Sequence, residues 1–166
     1  MKKRVRKIRL KDVELIVYDF DGVLTDNKAS ISENGMESVV INRSDGLAID
    51  MIRRFGVEQV IFTTEANKAA SARARKLRIP IKYGLGDKKE ALERYCRRKG
   101  VPIAKVVYLG NDVNDLEAMT AVGWPVCPSD AYRAIKAVSR IILKTRSGSG
   151  VVRELAGYIF GGIWRI

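Results

Sequence analysis

The stretch Asp19-Phe20-Asp21-Gly22-Val23-Leu24-Thr25-Asp26 decides the reading of this chain. It follows an apolar run, residues 13–18, broken only by Glu14, which predicts a buried strand. Two carboxylates stand at i and i+2 as that strand ends, and Gly22 comes at once. Strand alternation points such a pair to one side. In open α/β sheets, ligands bind at the carboxyl ends of strands. Like charges that close repel, so the pair calls for a cation or a shared proton. A hard, oxygen-seeking ion such as Mg²⁺ meets that need.

Outward from this motif, strand-like and helix-like segments alternate. Residues 57–62, 79–83, 105–109, 124–127 and 140–143 read as strands, with Pro80 marking an edge or a strand start. Helices are expected from Ala48 to Phe55, over 66–77, after Asp87 as far as Lys99, through Met119, and over 151–160. Ser44 or Asp45 is expected to cap the first helix, and Asp130 a later one. Asn34-Gly35 between two β-prone runs predicts a hairpin flap over 28–41. The alternation predicts βαβ units around a mainly parallel sheet. The domain spans 12–166, and residues 1–11 read as a solvated basic arm.

Composition narrows the chemistry. There is no histidine, which excludes His-based triads, phosphohistidine and His-ligated zinc. Two cysteines, Cys96 and Cys127, make no disulfide framework. No apolar run reaches the roughly 18 residues that span a bilayer, and no signal-peptide core follows the basic start, so a cytoplasmic protein is expected. The net charge of +12 raises nucleic acid as a partner. The cations are dispersed, without interleaved aromatics, so solvated helix faces and attraction of a small anionic substrate explain them instead.

Four features fall just after predicted strands or at a helix start: Asp19 with Asp21, Thr63, Lys88, and Asn111-Asp112 with Asp115. A parallel sheet gathers such positions at one edge. Carboxylates, a hydroxyl and an ammonium together suit phosphoryl transfer. The octapeptide resembles the first motif of the haloacid dehalogenase superfamily of phosphohydrolases. Thr63, Lys88 and Gly110-Asn-Asp-Val-Asn-Asp115 stand, in order, where its other three motifs belong. The resemblance covers nearly the whole chain after residue 12.

That resemblance implies a Rossmann-like three-layer α/β sandwich without a cap domain. The chain is similar to the capless branch acting on sugar-acid phosphates. This branch holds the 3-deoxy-manno-octulosonate 8-phosphate phosphatases, the nonulosonate (sialic-acid-type) 9-phosphate phosphatases and the C-terminal domain of animal CMP-sialate synthetases. It implies Asp19 as nucleophile, Asp21 as acid and base, Thr63 and Lys88 as phosphoryl-holding groups, and Asp115 as support. Mg²⁺ would be held by Asp19, Asp21 and Asn111 or Asp112. The family usually has Asp where Asn111 stands. Thr64, Glu65, Arg73, Lys76 and Asp45 are expected to meet the sugar, and Thr64-Glu65 favours a nonulosonate over an octulosonate. The family habit implies a homotetramer in which the stretch from Gly148 to Arg153 lies near a neighbouring subunit's site. A phospho-receiver domain and a catalytically silent oligomerisation domain are the competing readings.

Overall fold

Strand β1 (Leu15–Asp19) is buried at every position and lies between two parallel neighbours. The computed structural model describes residues 8–66 and 68–161. After β1, the chain makes a short hairpin of β2 (Ser30–Ile31) and β3 (Glu37–Ser38). Then follow α1 (Arg43–Arg54), β4 (Glu58–Phe62), α2 (Lys68–Leu77) and β5 (Ile81–Lys82). The second half runs α3 (Lys88–Lys99), β6 (Val106–Leu109), α4 (Leu116–Ala121) and β7 (Trp124–Cys127). It ends with α5 (Arg133–Val138), β8 (Ile141–Ile142) and α6 (Val151–Phe160).

The six-stranded sheet has the order β5-β4-β1-β6-β7-β8, all parallel. The order reverses direction at β1, so the crevice at its carboxyl end is a topological switch point. Alternation within β1 divides two cores. Ile16 and Tyr18 pack toward α1 and α6, and Leu15 and Val17 toward α3 and α4. The result is the expected three-layer α/β sandwich with a small antiparallel hairpin. Pro80 precedes β5, an edge strand.

Three expectations need correction here. Ile8 is buried among the α1–α6 core residues, so residues 8–11 belong to the domain; residues 1–7 lie outside the described residues. Asn42, not Ser44 or Asp45, caps α1, its side chain accepting from Ser44 N at 2.9 Å. Asp130 does not cap α5, which begins after Tyr132. Its carboxylate accepts from Ser147 N at 2.8 Å and Ser147 Oγ at 2.9 Å, clamping the loop before α6.

Candidate active site

Gly22 adopts φ +80°, a conformation costly for residues with a Cβ, and so turns the chain sharply after Asp21. A Cβ there would sit 1.9 Å from Asn111 Nδ2, so only glycine lets the loop after β6 close against this turn. Thr25 braces the turn: its Oγ1 accepts from Gly22 N and Asn27 N, each at 3.2 Å. The site is therefore formed where β1, β4 and β6 end together. Asp19, Asp21, Thr63, Thr64, Glu65, Asn111 and Asp112 all line one cleft of about 330 Å³.

Beneath it, Lys88 is buried at the first position of α3, behind the Asp87 cap. Its Nζ donates to Asp19 Oδ1 at 2.8 Å and to Asp115 Oδ1 at 2.7 Å. Lys89 is exposed, so the two adjacent lysines are distinguished by geometry. Asp115 is fully buried and saturated: Tyr108 Oη donates to it at 3.0 Å and Asn111 N at 3.0 Å. Tyr108 was not legible as a site residue, because a tyrosine in a strand pattern reads as core.

Two carboxylates share one ammonium in a dry site, leaving excess negative charge. Burial, then Asp115, push the Asp19 carboxyl up, against the pull of Lys88. Burial pulls the Lys88 ammonium down, but Asp19 and Asp115 outweigh it and hold it above its ordinary value. Burial also raises Asp21, opposed by a hydrogen bond from Thr25 and reinforced by Glu65 and Glu37. A carboxyl so placed can hold a proton and release it.

The residues fit a divalent cation. Asn111 Oδ1 is buried with no hydrogen-bond partner in the structure, an amide oxygen left for a ligand. Among the described residues no arginine or lysine lines the cleft, while Asp19, Asp21, Glu65 and Asp112 do, so an anionic ligand would need added positive charge to enter. No cluster of three or more His, Cys, Asp or Glu side chains is arranged around a metal among the described residues. The donor set instead mixes carboxylate and amide oxygens, as a hard cation accepts. Asp112 is engaged otherwise, its Oδ1 accepting from Val113 N at 2.7 Å.

Three expected substrate contacts are not in the cleft. Asp45 is buried, and its Oδ1 accepts from Val152 N at 2.9 Å and Arg153 N at 3.2 Å, holding the start of α6. Arg73 donates to the Asn42 carbonyl at 3.1 Å on the α1 side of α2. Lys76 is exposed and does not line the cleft. Trp124 is core, with Arg140 over its ring. A wider hollow of about 510 Å³ lies beside Cys96, Val101 and Ile103 but carries no set of phosphoryl-handling groups. Chemistry, not volume, picks the site.

Residues 62–155, more than half of the chain, match the family of haloacid dehalogenase-like hydrolases. The chain belongs to that family. Its fold is close to that of a protein from Streptomyces avermitilis described as a HAD family hydrolase. The TM-score is 0.94 at 37% identity, covering 97% of this chain and 92% of the other. A 3-deoxy-D-manno-octulosonate 8-phosphate phosphatase from Moraxella catarrhalis, solved with magnesium, phosphate and KDO, aligns with TM-score 0.85. It is 28% identical, over 89% of this chain and 85% of that one. The corresponding enzyme of Haemophilus influenzae is 27% identical over 91% of this chain and 84% of its own length. N-acylneuraminate cytidylyltransferase A of Danio rerio is 30% identical over 89% of this chain, which spans only 35% of that longer protein. With the site described, these matches make the chain a phosphatase of the haloacid dehalogenase-like family.

Proposed function

We propose that this phosphatase hydrolyses the phosphate monoester of a sugar acid with Mg²⁺ as cofactor. The observation that carries the reading is the cleft floor: Lys88 bridges Asp19 and Asp115 while Asn111 Oδ1 stays without a partner. When bound, Mg²⁺ held by Asp19, Asp21 and Asn111 supplies neutralising charge at the phosphoryl oxygens. Asp19 attacks phosphorus and the bond to the sugar oxygen breaks, giving an aspartyl-phosphate. Asp21 gives its proton to the departing oxygen, then takes one from the water that releases phosphate. Lys88 holds Asp19 in line, and Thr63, buried at the end of β4, turns its hydroxyl to the phosphoryl group.

Glu65 at the cleft supports a nonulosonate 9-phosphate as the sugar. An octulosonate 8-phosphate is the second reading, favoured by relatives that act on it and match this chain over most of their length. A cleft without a cap stays open to water, which supports closure by a second copy in a homotetramer. Gly148 itself packs on its own chain, its N donating to Val23 O at 3.0 Å.

Hydrolysis of p-nitrophenyl phosphate, with and without Mg²⁺, tests the chemistry. Asp19→Asn is expected to lower kcat at least about a thousandfold. Turnover surviving that change would rule out the aspartyl-phosphate. Octulosonate 8-phosphate, nonulosonate 9-phosphates and hexose phosphates compared side by side test the substrate class.

A further inference from the structure

We infer that Asp130 is a positioning residue of the active site: through Ser147 and Gly148 it sets how far the turn after Asp21 stands from Asn111. This rests on the metal-dependent reading above, in which Asp21 and Asn111 hold one cation. Asp130 does not line the cleft. It acts on the cleft through the two loops that it and its neighbours join.

The turn after β7, residues 128–132, closes on itself, Ala131 N donating to Pro128 O at 3.2 Å. It reaches out in two directions. On one side, Tyr132 N donates to Asn111 O at 2.8 Å and so fixes the backbone of the proposed ligand. On the other, Asp130 Oδ1 accepts from both the N and the Oγ of Ser147. The next residue, Gly148, donates from its N to Val23 O at 3.0 Å, two positions beyond Asp21. Gly148 has φ +68°, and a Cβ on it would fall 2.4 Å from Asp26 N and 2.5 Å from Thr25 C. The two backbones are therefore in direct contact, with no side chain between them to absorb a shift. The circuit closes where Gly22 lies against the Asn111 amide. Moving Ser147 moves one half of the cation site relative to the other.

The grip on Ser147 is a charged one. Burial pushes the Asp130 carboxyl up, but the Ser147 donors and Arg146 outweigh it and hold it below its ordinary value. Asp130 therefore accepts as an anion, and such hydrogen bonds are roughly twice as strong as neutral ones. The other end of the same loop is held by Glu154, which accepts from Lys144 N at 2.9 Å and Thr145 N at 2.7 Å. Glu154 grips the loop before Ser147 and does not touch the contact with Val23, so it serves as a control. The choice of ion makes spacing measurable. Mg²⁺ demands a near-ideal octahedron at about 2.0–2.1 Å, whereas Ca²⁺ accepts a looser shell at about 2.3–2.6 Å. A site whose halves drift apart loses Mg²⁺ before Ca²⁺, and a misplacement of about 1 Å at reacting groups costs on the order of a hundredfold in rate.

The test is the ratio of Mg²⁺ to Ca²⁺ affinity, read by isothermal titration without substrate, beside kcat and KM for p-nitrophenyl phosphate at saturating Mg²⁺. A partly unfolded sample weakens both ions alike, so the ratio separates lost spacing from lost fold. In Asp130→Ala the ratio is expected to fall about tenfold, and kcat roughly ten- to hundredfold with KM nearly unchanged. Asp130→Asn keeps an oxygen toward Ser147 and is expected to restore most of both. Glu154→Ala is expected to leave the ratio at the wild-type value. Asp130→Ala with the wild-type ratio and kcat, or Glu154→Ala with the same change of ratio as Asp130→Ala, overturns the positioning role and leaves the phosphatase reading standing. A wild type that binds no Mg²⁺ and turns over equally without it overturns both.

Discussion

At Asn111 a single atom carries the proposal of a metal site. Its amide oxygen is buried without a partner, while Asp112 next to it caps its own turn. An amide offers an oxygen but no charge, so the proposed cation would be held by less negative charge than a carboxylate there would provide. Asn111→Asp is therefore expected to raise Mg²⁺ affinity about tenfold or more, read by isothermal titration without substrate. Unchanged affinity would remove Asn111 from the ligand set. Asp19, Thr63, Lys88 and Asn111 were legible in sequence because each stands at an element boundary that a parallel sheet brings to one edge. Tyr108 and Thr25 were not. Their polar atoms serve Asp115 and the Gly22 turn through contacts that composition and spacing do not show.

At the scale of elements, Asp45 ties the first turn of α1 to the N-terminus of α6. A helix N-terminus welcomes a carboxylate, yet Asp45 Oδ2 has no partner in the structure. Burial raises this carboxyl to about 6, against the backbone donors of Arg153 and Val152 and the charge of Arg73. Linkage gives the sign. The folded state holds the proton more tightly than the unfolded chain, whose Asp titrates near 3.9, so the charged form penalises folding. The penalty is absent below about pH 4, grows as pH rises to about 6, and is full above. Asp45→Asn is expected to abolish this loss. Relative to wild type, the variant should gain on the order of 2 kcal/mol between pH 4 and pH 7.5 in urea unfolding. A constant difference across that range would show that Asp45 does not titrate as described. Its place against α6 could not be read from the chain, since the contact joins residues more than a hundred positions apart.

The whole molecule carries a net charge of +12 around a cleft lined by carboxylates. The long-range field favours approach of an anion to the cleft, where the proposed Mg²⁺ would supply the local positive charge. The specificity constant for a sugar-acid phosphate is expected to fall severalfold between about 10 and 200 mM salt at saturating Mg²⁺, as the Debye length shortens. A value independent of salt would confine the positive charge to solubility. The same field explains why cations spread over many helices do not, by themselves, indicate nucleic acid. Among the described residues no helix is long and apolar enough to cross a membrane.

The sequence by itself determined the parallel α/β class, the hairpin at Asn34-Gly35, and the carboxylate pair Asp19 and Asp21 with Thr63 and Lys88 beside it. These are properties of local order: apolar period, turn chemistry, and the residue types that stand just after each strand. Only the tertiary structure decided which cation of α2 faces which neighbour, that Asp45 holds the start of α6, and that Tyr108 meets Lys88 at Asp115. Those outcomes depend on which face of a helix is packed and on groups distant in the chain. Periodicity marks a helix face; the packing of α1, α2 and α6 settles what lies opposite it.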